Sequence, residues 1–264
     1  MSSTLLTGRR ALVTGSTQGL GLAIARRLAG AGCHVVLHGL EPEPTLAALQ
    51  RELAAAAGVP VSTANADLRD PHALERMVAG TVATLGGIDI LVNNAVTRHV
   101  APIDGMPPEA WNEDLAVNLS AAFHTIRLAL PGMKERDWGR IINVSSIYGL
   151  VGAANRVGYV TTKTALIGLT RAVALETVDH DITCNAVCPG TSATPLHEAS
   201  LKTLMQTEAL TREAAEHRLL AGKQPTGRLI SPDGVASLIL MLCAPESRDI
   251  TGAAIPIDGG WSAA

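Results

Sequence analysis

The 264-residue sequence predicts an α/β fold: a single parallel, doubly wound sheet of seven strands with helices on both faces. Three observations support this prediction. Short β-branched or apolar runs alternate with longer amphipathic segments along the whole chain. The short runs are continuously apolar, which is typical of strands buried on both faces. No linker or internal repeat interrupts the pattern, so we expect one domain over residues 1–264.

The predicted elements follow in chain order. Strands are expected at 11–14, 34–38, 60–64, 88–92, 140–144, 182–187 and 253–257. Helices are expected at 19–31, 45–57, 71–85, 109–135, 157–176 and 231–244. Gly32 and Gly58 end the first two helices, and Pro71 opens the third.

One segment, residues 195–223, stands apart as an amphipathic insertion after the sixth strand. Ligands bind at the carboxyl ends of strands in open α/β sheets, and this segment begins there. We therefore expect a helical substrate lid over 195–223, with an ordinary surface pair of helices as the alternative.

Composition excludes several classes of function. The net charge is −3 and no basic run is present, so we expect no nucleic-acid partner. The longest apolar run is too short to span a bilayer and no signal peptide is visible, so we expect a soluble, cytoplasmic protein. The four cysteines form no CxxC pair and the histidines have no metal spacing, which predicts buried thiols and no metal site. His34 and His38 are interpreted as strand-end residues.

A glycine-rich loop follows the first predicted strand and opens the first helix, with the sequence Thr14-Gly15-Ser16-Thr17-Gln18-Gly19-Leu20-Gly21. Glycines permit a tight turn and a close approach of backbone to a pyrophosphate, and the helix directs its free N–H groups at the phosphates. A glycine triplet alone is a weak signal, but this one has the strand–loop–helix context that dinucleotide binding requires.

The TGxxxGxG spacing of this loop resembles the short-chain dehydrogenase/reductase family. Further matches run along the chain: Asp67 in Ala66-Asp67-Leu68, then Asn93-Asn94-Ala95, Asn118, Ser146, Tyr159, Lys163, and Pro189-Gly190 followed by Thr194. The resemblance implies a Rossmann-type fold, a nicotinamide cofactor and an alcohol dehydrogenase or ketoreductase.

The resemblance also implies which residues contact the cofactor. Asp67 and Leu68 are expected at the adenine, and Thr194 at the nicotinamide amide. The full implied set is Gly15, Thr17, Gln18, Gly19, Leu20, Gly21, Leu40, Asp67, Leu68, Asn94, Ala95, Tyr159, Lys163, Pro189, Gly190 and Thr194. One position departs from the family motif NNAG: Val96 replaces the glycine and adds a Cβ near the expected cofactor position.

The sequence favours NAD over NADP. A 2′-phosphate needs Arg or Lys near the end of the second strand or in the glycine loop, and neither His38-Gly39-Leu40 nor Ser16-Thr17-Gln18 contains one. The acidic residue that usually binds the 2′-hydroxyl is also absent from the strand end, and Glu41 is a weak candidate.

Tyr159 and Lys163 are four residues apart on a predicted helix, so their side chains share one face. A tyrosine has a reference pKa near 10, and a neighbouring ammonium favours its phenolate. Tyr159 is therefore expected to act as base in alcohol oxidation and as acid in ketone reduction. Ser146, just past the fifth strand, would hydrogen-bond the substrate oxygen. The family spacing selects Ser146 over Ser145, and it implies that Asn118 holds a water linking Lys163 to solvent.

The substrate is less constrained by the sequence. The strongest likeness within the family is to bacterial D-3-hydroxybutyrate dehydrogenases, which hold a small carboxylate with Gln, His, Lys and two Trp. At those positions this chain has Arg98, Tyr148, Arg156, Thr191 and the retained Trp261. This implies an anion-binding pocket for a 3-hydroxy acid, with Arg98 and Arg156 as exposed rim charges being the alternative.

Other functions stay open at this point. A 3-oxoacyl-carrier-protein reductase has the same catalytic set but usually takes NADPH. A dehydrogenase for a bulkier cyclic or aromatic alcohol would use the space left by Thr191. A catalytically silent NAD-binding scaffold tends to lose the Tyr or Lys that are present here. The family is commonly tetrameric through the helices predicted at 109–135 and 157–176, so we expect a homotetramer with a small-molecule substrate.

Overall fold

The computed structural model describes residues 5–264, apart from the side chain of Leu196. Seven parallel strands form one sheet in the order β3-β2-β1-β4-β5-β6-β7. The strands are β1 Arg10–Val13, β2 His34–His38, β3 Val61–Ala64, β4 Ile90–Asn93, β5 Gly139–Val144, β6 Ile182–Pro189 and β7 Ala254–Ile257. The predicted seven-stranded parallel sheet is confirmed.

Helices cover both faces of the sheet, as predicted. They are α1 Gly19–Gly30, α2 Glu43–Ala57, α3 Pro71–Leu85, α4 Pro108–Leu115, α5 Ala121–Glu135, α6 Val157–Leu175, α7 Pro195–Thr207, α8 Arg212–Leu220 and α9 Pro232–Cys243. Two separate cores result because successive strand side chains point to opposite faces. Val13 packs with Ile24 of α1 and Ile239 of α9 in one core. Its neighbour Leu12 packs with Met77 of α3 in the other.

The strand order reverses between β1 and its two neighbours, β2 and β4. In an open α/β sheet this reversal leaves a crevice at the carboxyl ends of the strands, where ligands bind. The glycine-rich loop after β1 and the segment after β4 both open into that crevice. The topology therefore determines where the candidate site lies.

The segment predicted as helical over 109–135 is helical throughout, with one irregular turn in its middle. Between α4 and α5 the chain forms a π-helical turn, Ala116–Ser120, which contains Asn118. Single π-helical turns inside helices occur frequently at functional sites. The Asn118 side chain is buried and bonded to Thr97 and Thr162, so tertiary contacts favour the wider turn here.

The insertion over 195–223 consists of α7 and α8, and an ion pair between Arg212 and Glu198 joins them. Helical structure is thus confirmed for the segment, while its role as a lid stays a prediction. All four cysteines are buried and free, as expected. None of the helices in the described part of the chain is long and apolar enough to cross a membrane.

Candidate active site

The loop between β1 and α1 packs directly against the segment that follows β4. Gly15 has a φ of +60°, and a Cβ there would lie 2.8 Å from the Ala95 Cα. A Cβ on Gly21 would overlap the Gly15 carbonyl oxygen and the Asn94 amide. The Asn94 amide donates to the carbonyls of Thr14 and Gly15 at 3.0 and 2.9 Å. Only glycine therefore fits at these two positions, and the loop is fixed against the segment that follows β4.

The amino terminus of α1 is open toward the cleft. Its N-cap residue, Gln18, makes no side-chain cap to the first turn. The first N–H groups of a helix have no partner within the helix, and together with the helix dipole they bind anions such as phosphate. This arrangement fits the pyrophosphate of a dinucleotide.

His38 is hydrogen-bonded to the glycine-rich loop. Its interpretation as a strand-end residue did not include this role. The Gly15 N–H donates to the His38 Nδ1 at 3.0 Å, and the His38 Nε2 lies 2.9 Å from the Ala66 carbonyl oxygen. These partners require a neutral ring with its proton on Nε2. Burial lowers the pKa of His38, which favours the same neutral form. No sequence periodicity signals this role; only the packing of β2 against the loop reveals it.

The crevice holds a cleft of about 670 Å³ whose walls include all the residues expected to contact the cofactor. They are Gly15, Thr17, Gln18, Gly19, Leu20, Gly21, Leu40, Asp67, Leu68, Asn94, Ala95, Tyr159, Lys163, Pro189, Gly190 and Thr194. Val96, which departs from the family motif, also lines this cleft. The structure thus collects residues from six separate segments of the chain in one cleft.

Glu41 lies just after β2, at the end of the cleft where the adenosine of the dinucleotide is expected. We call this the adenosine end. Its Oε1 accepts a hydrogen bond from the Thr17 hydroxyl at 2.5 Å, while its Oε2 is buried without a hydrogen-bond partner among the described residues. A buried acceptor without a partner is costly, so this atom fits a hydroxyl donor from a ligand. Nearby, Arg69 is paired with both Asp67 and Glu113, at 2.6 and 3.2 Å. The hydrogen bond from Arg69 lowers the pKa of Asp67.

Tyr159 and Lys163 lie on one face of α6, and both are buried at the cleft wall. The Lys163 Nζ is 5.7 Å from the centre of the Tyr159 ring and donates to the Val144 carbonyl oxygen at 2.7 Å. Burial, together with the positive charge of Arg98, lowers the pKa of Lys163 to about 7. The amino group of Lys163 thus lies beside the Tyr159 ring at the cleft wall.

The two serines after β5 have different partners. The Ser145 hydroxyl donates to the Lys163 carbonyl at 2.7 Å and so joins β5 to α6. The Ser146 Oγ accepts from the Tyr148 N–H at 3.2 Å, which leaves its own hydrogen available to a substrate oxygen. This contrast agrees with the choice of Ser146 from the family spacing.

Asn118 clamps the segment after β4 to the π-helical turn. Its Oδ1 accepts from the Thr97 N–H at 2.8 Å, and its Nδ2 donates to the Thr97 carbonyl at 3.0 Å. A separate cavity of about 10 Å³, close to the smallest volume that holds one water, is lined by both Asn118 and Lys163. This geometry fits the expected water between the two residues.

Of the predicted substrate residues, Arg98, Ser146 and Tyr159 line the cleft, whereas Tyr148, Arg156 and Trp261 lie outside its lining. Arg98 lines the cleft with its guanidinium carbon 5.2 Å from the Tyr159 ring centre. Tyr148 forms edge contacts with both Tyr159 and Trp261, at centroid distances of 6.2 and 5.3 Å. Arg156 lies 5.9 Å from the Tyr148 ring, and burial raises the pKa of that tyrosine.

Thr191 is not among the residues that line the cleft. Its N–H donates to the Gln224 Oε1, and its carbonyl accepts from the Ile230 N–H at 2.9 Å. The backbone of Thr191 therefore ties β6 to the segment after α8. Its expected place in a roomier substrate pocket stays a prediction.

Comparison with known proteins agrees with this geometry. Residues 9–204 match the family model described as short chain dehydrogenase. The chain is 43% identical over 260 residues to a D-beta-hydroxybutyrate dehydrogenase of Cupriavidus necator, covering 98% of this chain and 100% of that one. It is 41% identical over 255 residues to the enzyme of the same name from Rhizobium meliloti, covering 97% and 99%.

A solved structure is also similar over nearly the whole chain. L-sorbose reductase from Gluconobacter frateurii, complexed with NADPH and L-sorbose, has a TM-score of 0.92 and 30% identity, covering 98% of each chain. The family match, the full-length relatives and the shared fold all point to one conclusion: this chain belongs to the short-chain dehydrogenase family and is an NAD(P)-binding oxidoreductase.

Proposed function

We propose that the protein transfers a hydride between NAD and the carbonyl or secondary alcohol carbon of a small carboxylate-bearing substrate, a 3-hydroxy acid similar to 3-hydroxybutyrate. The observation that carries the proposal is Arg98 in the cleft, with its guanidinium beside the Tyr159 ring. This arrangement sets a carboxylate-binding cation next to an acid–base group.

The residues at the cleft wall have complementary roles in this reaction. Tyr159 takes the hydroxyl proton in oxidation and returns it to the carbonyl oxygen in reduction. Lys163 places its amino group beside the Tyr159 ring, and Ser146 donates a hydrogen bond to the substrate oxygen. Asn118 and the adjacent cavity position a water that exchanges protons between Lys163 and solvent. The nicotinamide, when bound, carries the hydride.

The preference for NAD is supported by the charges at the adenosine end. The unpartnered Glu41 Oε2 would accept a hydrogen bond from the ribose 2′-hydroxyl but would repel a 2′-phosphate. Arg69, the cation nearest this end, is already paired with two carboxylates. Glu41, a weak candidate in the sequence, is thus the residue we propose as the selector of NAD.

A panel of hydroxy acids and uncharged secondary alcohols, assayed by NADH absorbance with each dinucleotide, tests the proposal. We expect oxidation of 3-hydroxy acids with NAD and a lower KM for NAD than for NADP. A preference for NADP and carrier-linked oxo acids would favour the 3-oxoacyl reductase reading. A preference for bulky uncharged alcohols would also overturn the proposal.

The contribution of the arginines is tested separately from that of the acid–base pair. Arg98→Ala is expected to raise KM for a 3-hydroxy acid several-fold without raising KM for an uncharged ketone, because only the acid makes a charge-assisted contact. Equal effects on both substrates would indicate that the arginine is an exposed rim charge.

A homotetramer and a lid over 195–223 complete the proposed enzyme. The helices α5 and α6 each expose a large apolar side chain, Phe123 and Leu175, which supports their use in an interface. Light scattering after size exclusion would measure the number of copies, and four are expected.

A further inference from the structure

Three basic side chains near Tyr159, Tyr148 and Trp261 have no acidic partner: Arg98 lines the cleft, and Arg156 and Lys223 lie outside its lining. Elsewhere, Arg69 and Arg212 are each paired with two carboxylates. Within the described residues, Arg98, Arg156 and Lys223 form no ion pair with a carboxylate; the two arginines instead lie against tyrosine rings. Like charges gathered without counter-charges repel one another, and a ligand anion would relieve this repulsion.

The fold brings these cations together from three separate segments. The segment after β4 pairs with the start of α6 through a bridge between Ala101 and Arg156, and this bridge brings Arg98 and Arg156 to one region. Lys223 follows α8 and lines a cavity that also includes Trp261. Trp261 in turn contacts Tyr148, whose ring lies near Arg156.

His197, on α7, is a titratable side chain whose pKa all three positive charges affect. It lines the cleft, and its Nδ1 lies 2.8 Å from the Ser192 carbonyl oxygen, so that Nδ1 carries the proton. Burial lowers the pKa of His197, and the charges of Arg98, Arg156 and Lys223 lower it further. With its proton on Nδ1, the neutral ring of His197 has only an acceptor, Nε2, left for a ligand.

We propose that the substrate carries two anionic groups: one carboxylate held beside Tyr159 by Arg98, and a second anion bound at the mouth of the cleft by Arg156 and Lys223. The inference rests on the proposed hydroxy-acid activity and narrows its substrate class to hydroxy acids with a second carboxylate or a phosphate. The reaction at the carbinol carbon is unchanged.

A single carboxylate leaves most of this charge uncompensated. A single guanidinium is enough to bind one carboxylate in a bidentate manner, and that of Arg98 lies closest to Tyr159. The remaining cations lie beyond Tyr148: Arg156 is 5.9 Å from its ring, and Lys223 shares a cavity with Trp261, which contacts that ring. Partly exposed cations at a cleft mouth also raise the rate at which an oppositely charged substrate arrives.

The test compares substrates that differ only in charge, using the intact enzyme with NAD. The pair is 3-hydroxyglutarate and its monomethyl ester, with 3-hydroxybutyrate as the shorter monoanion. We expect kcat/KM for the dicarboxylate to exceed that for the half-ester at least tenfold, and this ratio to fall as ionic strength rises. Equal values for the two substrates would overturn the inference.

A phosphate arm identifies the source of the second anion. The substrate 3-hydroxy-4-phosphooxybutyrate is assayed beside 3-hydroxyglutarate. The dianion with the higher kcat/KM identifies the second anionic group as a carboxylate or a phosphate. A preference for either one supports a site for two anions. If both dianions fall below the half-ester, the site does not exist.

Two lysine variants connect the effect to the proposed site. Lys223→Gln is expected to lower the ratio of dicarboxylate to half-ester at least fivefold. The control is Lys202→Gln on α7, an exposed lysine outside the cleft lining, which removes the same charge and is expected to leave the ratio unchanged. An equal fall in both variants would indicate a general field and contradict the site.

The failure of this inference is distinguishable from that of the proposed function. If monocarboxylic hydroxy acids are oxidised but the dianions show no advantage, only the second anion site is wrong. If no hydroxy acid of either kind is oxidised with NAD, the proposed function is wrong and this inference falls with it.

Discussion

The two ends of the cleft differ in how their charges are compensated. At the adenosine end the cation is paired with carboxylates, and the unsatisfied atom is an acceptor, the Glu41 Oε2. At the substrate end Arg98 and Arg156 form no ion pair with a carboxylate among the described residues and lie against tyrosine rings instead. Polar groups that a fold leaves without partners indicate the chemistry of the ligand that completes them. The comparison therefore predicts a neutral hydroxyl at one end and an anion at the other.

Tyr159→Phe should have the largest effect on activity. It should impair the substrate end of the cleft and leave the adenosine end unchanged. It removes the proton donor at the substrate end, so we expect kcat to fall about 10³-fold. The adenosine end does not involve this hydroxyl, so the Kd for NADH, measured by fluorescence, should change less than threefold. A large loss of NADH binding would show that the two ends are not independent.

Gly21→Ala should break the dinucleotide end. The new Cβ would overlap the Gly15 carbonyl oxygen and the Asn94 amide, which displaces the loop that cradles the phosphates. We expect the Kd for NADH to rise about 100-fold, which corresponds to roughly 2.7 kcal/mol. Gly30→Ala, on the same helix with open space around its Cα, is the matched control and should bind NADH normally.

Glu41→Ala should weaken the preference for NAD. Loss of a single hydrogen bond to a charged acceptor, together with loss of repulsion toward a 2′-phosphate, should lower the NAD/NADP ratio of kcat/KM about tenfold. The ratio measured for wild type and variant under the same conditions checks this. If the ratio does not move, Glu41 is not the selector and the orphaned carboxylate oxygen has another cause.

Lys163→Met should have the smallest effect, on the pH dependence of stability. Burial lowers the pKa of Lys163 from 10.5 to about 7, so above pH 7 the unfolded chain binds a proton here that the folded protein has released. The contribution of Lys163 to the free energy of unfolding thus rises with pH between 7 and 10.5. Below pH 7 the folded protein bears the whole cost of burying the charged ammonium.

For the protein without cofactor, Lys163→Met should therefore raise Tm over wild type by about 3 °C or more at pH 6. The gain should shrink toward pH 9, as measured by thermal unfolding at both pH values. A gain that is constant with pH would contradict the proposed origin in the buried ammonium.

Local pattern was sufficient for much of the fold and for the catalytic set. The glycine loop, the strand runs and the Tyr159–Lys163 spacing are each encoded within a few residues, and periodicity reports them directly. Helical structure over 109–135 was predicted, but its π-helical turn was not, because that turn depends on Asn118 bonding to Thr97, which is 21 residues away. Similarly, no local signal connects His38 to Gly15.

The sequence by itself determined the element order, the dinucleotide loop and the identity of the acid–base pair, because each depends on short-range spacing. Only the tertiary structure decided the charge pattern of the cleft: that Arg69 is neutralised, that Glu41 has a free buried oxygen, and that Arg98, Arg156 and Lys223 act on His197. Compensation of a charge depends on which distant side chains fold next to it, and spacing along the chain does not encode that.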